Sequence, residues 1–120
     1  MDYQVIERND QKYIQLNREG NPIQAERDAL DLLSVCAEYG TNLLLIPGER
    51  LSDEFLRLST GIAGAVLQKF AQYGVKAAVL LDQDNVTGRF RDLLVESNRG
   101  NAFRTYTDLS KAEAWLTGGD

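Results

Sequence analysis

The chain has 120 residues, of which 43% are hydrophobic and 26% charged, and its formal net charge is −5. A chain of this length buries roughly two thirds of its unfolded surface in one core, so we expect a single domain over residues 1–120. The negative charge disfavours nucleic-acid binding, which depends on Lys and Arg side chains that neutralise phosphates. The chain has no histidine, which excludes Ser-His-Asp and Cys-His catalysis and histidine-based zinc sites. We expect no catalytic residue, no metal and no cofactor, although two aspartates near residue 82 could bind a hard cation such as magnesium.

The N-terminal sequence MDYQVIERND lacks the basic and apolar segments of a secretory signal. No apolar run approaches the roughly 20 residues of a membrane span, so we expect a cytoplasmic protein without membrane contact. The single cysteine, Cys36, cannot form a disulfide within the chain, and it lies on the apolar side of a predicted helix. The sequence predicts a small buried hydrophobic residue here rather than a reactive thiol.

The first predicted elements are a β-hairpin and a helix. Residues 3–7 and 13–16 carry β-branched and aromatic side chains on either side of the polar sequence RNDQ, a pattern typical of paired strands. The turn sequence REGNP follows. Apolar residues at helical spacing then predict a helix over residues 25–39, with Gly40 as its stop.

The remaining elements alternate between strand and helix. The apolar runs NLLLIPG and KAAVLLD are typical of strands buried on both faces, and the helical pattern between them is long enough for a right-handed crossover. A helix from Val86 to SNRG, a strand at AFRTY and a helix capped by Asp108 complete the chain. The order predicts an α/β sandwich with a mixed, mostly parallel sheet, an N-terminal antiparallel hairpin and about four helices.

The sequence LRLSTGIAGAVLQKF leaves two interpretations open. Its apolar residues recur every three or four positions, which allows one helix from about Asp53 to Gln72 with Ser52 as its N-cap. On that interpretation the Ser-Thr pair lies inside the helix, and Gly61 and Gly64 allow close packing on the sheet.

The alternative is that the chain breaks near Leu58. Ser59 then stands at the start of a second helix, whose backbone N–H groups favour a phosphate or another anion, and Gly61 eases the turn. Ser59 or Thr60 would be a phosphorylation switch or a hydroxyl ligand for an anion.

Two family resemblances bear on this segment. The sequences DALDLL, EFLRLSTGIAGAVLQKF and ESNRG, with WL near the end, resemble the DUF4180 family of small bacterial proteins, which has no established activity. The order of hairpin, helix and strand, with LSTGIAG leading into a helix, is similar to the STAS domain of anti-sigma-factor antagonists.

The STAS resemblance implies a regulatory role. Members of that family carry Asp-Ser-Ser-Gly or Asp-Ser-Thr-Gly at this point, and a partner kinase phosphorylates the serine after the aspartate. Position by position, the resemblance makes Ser59 the acceptor, Thr60 its neighbour and Gly61 the turn glycine. Leu58 occupies the place of the aspartate, so the resemblance implies a STAS-like architecture with a modified or lost switch.

Two further groups are secondary candidates. Asp82 ends a predicted buried strand and Asp84 follows it, so this pair suits either a ligand beyond the strand or ordinary turn and N-cap chemistry. Glu96, Asn98 and Arg99 close the third predicted helix. They suit a helix C-terminus or a polar contact with a neighbouring strand or a partner.

Three hypotheses about function follow. The first is a non-enzymatic cytoplasmic regulatory or protein-interaction module that acts through Ser59 to Gly61. The second is a small-molecule or anion-binding protein, with or without minor enzymatic activity, that uses a cleft formed by Ser59, Thr60, Asp82 and Arg99. The third, compatible with either, is a homodimer in which the exposed edge of the hairpin pairs with its own copy.

Overall fold

A computed structural model describes residues 2–82, 90 and 102–118. Its five strands form one sheet in the order β1-β2-β3-β4-β5, in which β1 and β2 are antiparallel and all other neighbours are parallel. The mixed, mostly parallel sheet with an N-terminal antiparallel hairpin is therefore confirmed. The strands are β1 Tyr3–Arg8, β2 Gln11–Leu16, β3 Leu43–Pro47, β4 Lys76–Leu80 and β5 Phe103–Tyr106.

Four α-helices lie in the described part of the chain, whereas the helix predicted from Val86 falls on residues outside it, apart from residue 90. Among the described residues, no helix is long and apolar enough to cross a membrane. The helices are α1 Glu26–Glu38, α2 Asp53–Leu56, α3 Ile62–Gln72 and α4 Leu109–Thr117.

The β1–β2 hairpin closes through Asn9 and Asp10. Both residues have positive φ, 53° and 62°, which matches the two-residue turn whose twist fits that of the paired strands. Asn and Asp tolerate this left-handed conformation better than other residues with side chains. The turn forms without the Asn-Gly pair that usually marks it.

Helices cover both faces of the sheet, but unequally. On one face, which we call the α1–α3 face, the first three helices bury a large core that includes Ile14, Phe55 and Phe70. On the other, the α4 face, one helix covers a small apolar cluster around Tyr13 and Leu116. All five residues of β3 are buried, which explains its uninterrupted apolar sequence.

Polar contacts hold α4 on its face. The Tyr13 hydroxyl donates to Glu113 Oε2 at 2.7 Å, and Arg8 Nε lies 3.7 Å from the same carboxylate oxygen. At the other edge of the helix, Lys76 Nζ donates to the Trp115 carbonyl at 2.8 Å and lies 4.5 Å from the centre of the Trp115 ring. The apolar contact area of α4 is small, and these polar contacts fix the position of the helix on the sheet.

Cys36 is 2% exposed and belongs to the core of the α1–α3 face. Burial raises the pKa of its thiol to about 11, because removal from water disfavours the charged thiolate. The thiol is therefore protonated and shielded near neutral pH, as predicted.

Candidate functional site

The segment between α2 and α3 is broken, and the single-helix interpretation is wrong. After Leu56 the chain turns extended at Arg57, with φ −87° and ψ 113°. A 3₁₀ turn over Leu58–Thr60 follows, and Gly61 with φ 72° precedes α3. The apolar periodicity continues across the break because α2 and α3 both bury their apolar residues in the same core.

Ser52 starts α2 as predicted. Its side-chain oxygen accepts a hydrogen bond from the backbone N–H of Phe55 at 3.0 Å, which satisfies one of the unpaired donors of the first turn. Leu51 and Leu56 are 2% and 6% exposed, at the two positions of a hydrophobic staple. Local capping therefore positions the first half of the connection.

The Thr60 hydroxyl ties the two halves of the connection together. Its oxygen lies 2.7 Å from the Glu54 carbonyl and 2.8 Å from the Arg57 carbonyl, both of which can accept its proton. The same oxygen accepts from the backbone N–H of Ile62 at 3.2 Å. Thr60 thus satisfies carbonyls at the end of α2 and a donor at the start of α3, so its hydroxyl is engaged in the fold.

Ser59 and the two glycines face outward. Ser59, Gly61 and Gly64 are exposed, and a Cβ atom placed on either glycine would meet nothing within 4 Å. The expectation that these glycines allow close packing on the sheet is therefore wrong. Gly61 instead supplies the positive φ that the break requires. The arrangement presents an exposed hydroxyl two positions before the N-cap of an eleven-residue helix.

Asp82 follows β4, at the carboxyl end of the sheet. It lines a cleft of about 210 Å³ at the carboxyl ends of β2, β3 and β4, on the α4 face. Arg18 and Glu49 also line this cleft and form an ion pair, with 3.8 Å between Arg18 Nε and Glu49 Oε2. The apolar part of the lining includes Leu45, Leu80 and Leu109.

The cleft expected to join Asp82 with Ser59 and Thr60 is not formed by the described residues. Ser59 and Thr60 are absent from the lining around Asp82. The reason is topological: the connection before α3 belongs to the α1–α3 face, whereas the Asp82 cleft opens on the α4 face. Asp84, Glu96, Asn98 and Arg99 lie outside the described residues.

A family model, described as a domain of unknown function (DUF4180), matches residues 8–116. The chain belongs to the DUF4180 family. The description assigns no activity to the family, and the matched range contains both the α2–α3 connection and Asp82. No curated protein and no solved structure matches the chain.

One residue of this DUF4180 chain that the sequence did not single out is Arg50. Its side chain is 4% exposed, and its guanidinium donates to the carbonyls of Asn17 at 2.9 Å, Asn21 at 3.0 Å and Asp2 at 3.2 Å. It also donates to the Asp2 carboxylate at 3.1 Å. A Cβ atom on Gly20 would lie 2.9 Å from the guanidinium carbon.

Arg50 therefore fixes loops at the carboxyl end of the sheet rather than offering a free charge. Its donors go to carbonyls on two separate stretches of chain, the N-terminus and the connection after β2, which satisfies the buried cation. Nothing in the sequence GERLS distinguishes this arginine from an exposed one, because the carbonyls it meets lie far away in the chain.

Proposed function

We propose that this chain is a non-enzymatic regulatory module of bacterial cytoplasm, STAS-like in architecture, that binds a protein partner through the segment Ser59–Gly61. The observation that supports the proposal is the exposed Ser59 at a break between two helices, directly before α3. An exposed serine outside regular helix is reachable by an enzyme or a partner. The same residues carry the resemblance to the STAS phospho-acceptor.

The chemistry of the segment favours Ser59 over Thr60 as the regulated residue. A phosphate on Ser59 would add about −1.5 to −2 charges near the N-terminus of α3, where the helix dipole favours negative charge. A phosphate on Thr60 would break the hydroxyl contacts with Glu54, Arg57 and Ile62.

The test compares Ser59 with a matched serine. Ser110 is also exposed and lies in the first turn of α4, so Ser59→Asp and Ser110→Asp add the same charge near two helix starts. Each variant and the unchanged chain would be used as bait in a lysate of the source cells, and retained proteins would be quantified by mass spectrometry. We expect a set of proteins retained by the unchanged chain and by Ser110→Asp but lost from Ser59→Asp.

The intact mass of the protein isolated from its source cells provides a second measurement. A mass increase equal to one phosphate that is absent from Ser59→Ala but present in Ser110→Ala would identify Ser59 as the phosphorylated residue. Identical retained proteins for all three baits, together with an unmodified mass, would contradict the proposal.

A second candidate function is small-molecule or anion binding, and the Asp82 cleft is the observation that favours it. Ligands of open α/β sheets bind beyond the carboxyl ends of the strands, and this cleft combines an apolar floor with the carboxylate of Asp82 and the Arg18–Glu49 pair. Charges of both signs suit a small zwitterion, such as an amino acid, better than a simple anion.

The melting temperature tests this candidate. The chain would be heated with free amino acids or inorganic phosphate, and the shifts compared with those of Asp82→Asn and of the control Asp53→Asn, which changes a carboxylate outside the cleft lining. A shift lost only in Asp82→Asn supports binding in the cleft. Equal responses of both variants, or no shift with any compound, would exclude it for these ligands.

A further inference from the structure

The outer edge of β1 faces no other strand among the described residues. The hydrogen bonds of β1 to β2 involve its even-numbered residues, since the Asn17 N–H donates to the Asp2 carbonyl at 2.9 Å and Arg8 pairs with Gln11 across a two-residue turn. The backbone N–H and C=O groups of Tyr3, Val5 and Glu7 therefore point away from the sheet. This edge is a template for a further strand.

Most of the devices that usually protect an edge strand are missing from β1, whose charged residues are confined to its end at Glu7 and Arg8. Its sequence, YQVIER, contains no proline, glycine or lysine, and all six residues pair with β2 in unbroken register without a bulge. Val5 is 38% exposed, one of the large exposed apolar residues of the molecule. A lightly protected edge with an exposed apolar centre favours pairing with a further strand.

We propose that β1 pairs antiparallel with β1 of a second copy of this chain, with the two-fold axis at Val5. A two-fold axis perpendicular to the sheet keeps the faces of the two copies aligned, so residues of like parity lie opposite each other. With the axis at Val5, the outward groups of Tyr3, Val5 and Glu7 form about six backbone hydrogen bonds between copies. Two of these bonds require the exposed Arg8 side chain to release the Glu7 carbonyl, to which its Nη1 donates at 2.8 Å.

The side chains favour this register over its neighbours. Val5 lies against Val5 of the second copy, Tyr3 lies opposite Glu7, and Asp2 lies opposite Arg8, which brings opposite charges together. The Asp2 side chain is 46% exposed even though it is paired with Arg50, and the Arg8 side chain is 60% exposed beside Glu113. Both side chains can therefore also face each other across the two copies.

Other registers are worse. An axis at Ile6 places apolar Val5 against Glu7 of the second copy, and an axis at Glu7 places the two Glu7 carboxylates opposite each other, which is destabilising. An axis at Gln4 leaves Glu7 without a strand partner and forms only about four backbone bonds. The charge pattern and the number of backbone hydrogen bonds therefore both favour a two-fold axis at Val5. The resulting dimer has one continuous sheet across both copies.

Sedimentation equilibrium of the full chain tests the pairing. We expect a concentration-dependent dimer that Val5→Lys converts to monomer, because two lysines would then face each other at the axis. The control is Leu30→Lys, which removes an apolar residue that is 45% exposed on α1, away from β1. It should leave the dimer intact.

Disulfide cross-linking tests the register. Val5→Cys places two thiols opposite each other, at the roughly 5.5 Å Cα separation that a disulfide spans. Glu7→Cys, on the same face, places the two Cα atoms about 14 Å apart, because they are offset by four residues along the strands and by one strand spacing across them. Because Cys36 is buried, the introduced thiol is the accessible one.

The proposal predicts a covalent dimer from Val5→Cys under mild oxidation and little from Glu7→Cys. A chain that sediments as a monomer, a dimer that persists in Val5→Lys, or equal cross-linking at both positions would overturn it. This inference does not depend on Ser59, so a negative result leaves the proposed function untouched.

Discussion

The two faces of the sheet are covered in different ways. On the α1–α3 face, three helices and their connections bury one large apolar cluster. On the α4 face, a nine-residue helix covers a small cluster and is held by hydrogen bonds from Tyr13 and Lys76. Stability on the first face depends on apolar area, whereas placement on the second depends on a few polar contacts. The candidate regions differ accordingly: Ser59 lies on the well-packed face, and the Asp82 cleft opens where cover is thinner.

The largest expected effect comes from the apolar face. Phe70 is 1% exposed, and Phe70→Ala should lower the free energy of unfolding by about 3–5 kcal/mol, because the change loses buried apolar area and leaves a cavity. Tyr73→Ala, at the end of the same helix but 60% exposed, is the control and should cost under about 1 kcal/mol. Urea unfolding measures both. Similar decreases in the free energy of unfolding for both variants would mean that burial of Phe70 does not stabilise this face.

The next effect concerns the α4 face. Tyr13→Phe keeps the ring but removes the donor to Glu113, so we expect a loss of about 1.5–3 kcal/mol. The pKa of Tyr13 is raised above its usual range by burial and by this hydrogen bond, which supports a tightly held neutral phenol. A double-mutant cycle with Glu113→Ala isolates the pair. Additive losses would show that the bond does not hold α4.

The pH dependence of stability tests the burial of Cys36 on the α1–α3 face. Burial in the core of the α1–α3 face raises the pKa of Cys36 from 9.0 to about 11. Because the pKa of the thiol is higher in the folded chain than in the unfolded chain, the stability that protonation gives the fold is complete below the unfolded pKa. It is lost as the pH rises through the folded pKa. Between pH 9 and 11 the free energy of unfolding should therefore fall more steeply for the unchanged chain than for Cys36→Ala. Parallel curves over this range would show that the thiol ionises without a burial penalty.

The smallest effect tests the broken connection. Gly61→Ala should cost about 1 kcal/mol, because Gly61 has φ 72° and alanine disfavours that conformation. Gly64→Ala lies within α3 in open space, and there the same change should stabilise by about 0.5–1 kcal/mol. Thermal unfolding of both variants shows the signs. Stabilisation by both changes would mean that one continuous helix runs through Gly61.

The candidate site was only partly predictable. The sequence singled out Ser59, Thr60 and Gly61 but allowed both a continuous helix and a break, because apolar periodicity persists on either side. Asp82 was identified from its place after a buried strand, whereas Arg18 and Glu49 gave no signal. They meet only through folding, since one follows β2 and the other follows β3.

The sequence by itself determined the order of the described strands and helices, apart from the division between α2 and α3. These elements depend on patterns among a few neighbouring residues: alternating polar and apolar side chains, uninterrupted apolar runs, and helix caps. The buried strand β3 and the caps Ser52 and Asp108 appear in the structure as predicted. The tertiary structure decided the break before α3, the absence of Ser59 from the lining of the Asp82 cleft and the burial of Arg50. The burial of Arg50 and the lining of the cleft depend on residues distant in the chain, which local patterns do not encode. The break combines local contacts of Thr60 with the burial of both helices in one core.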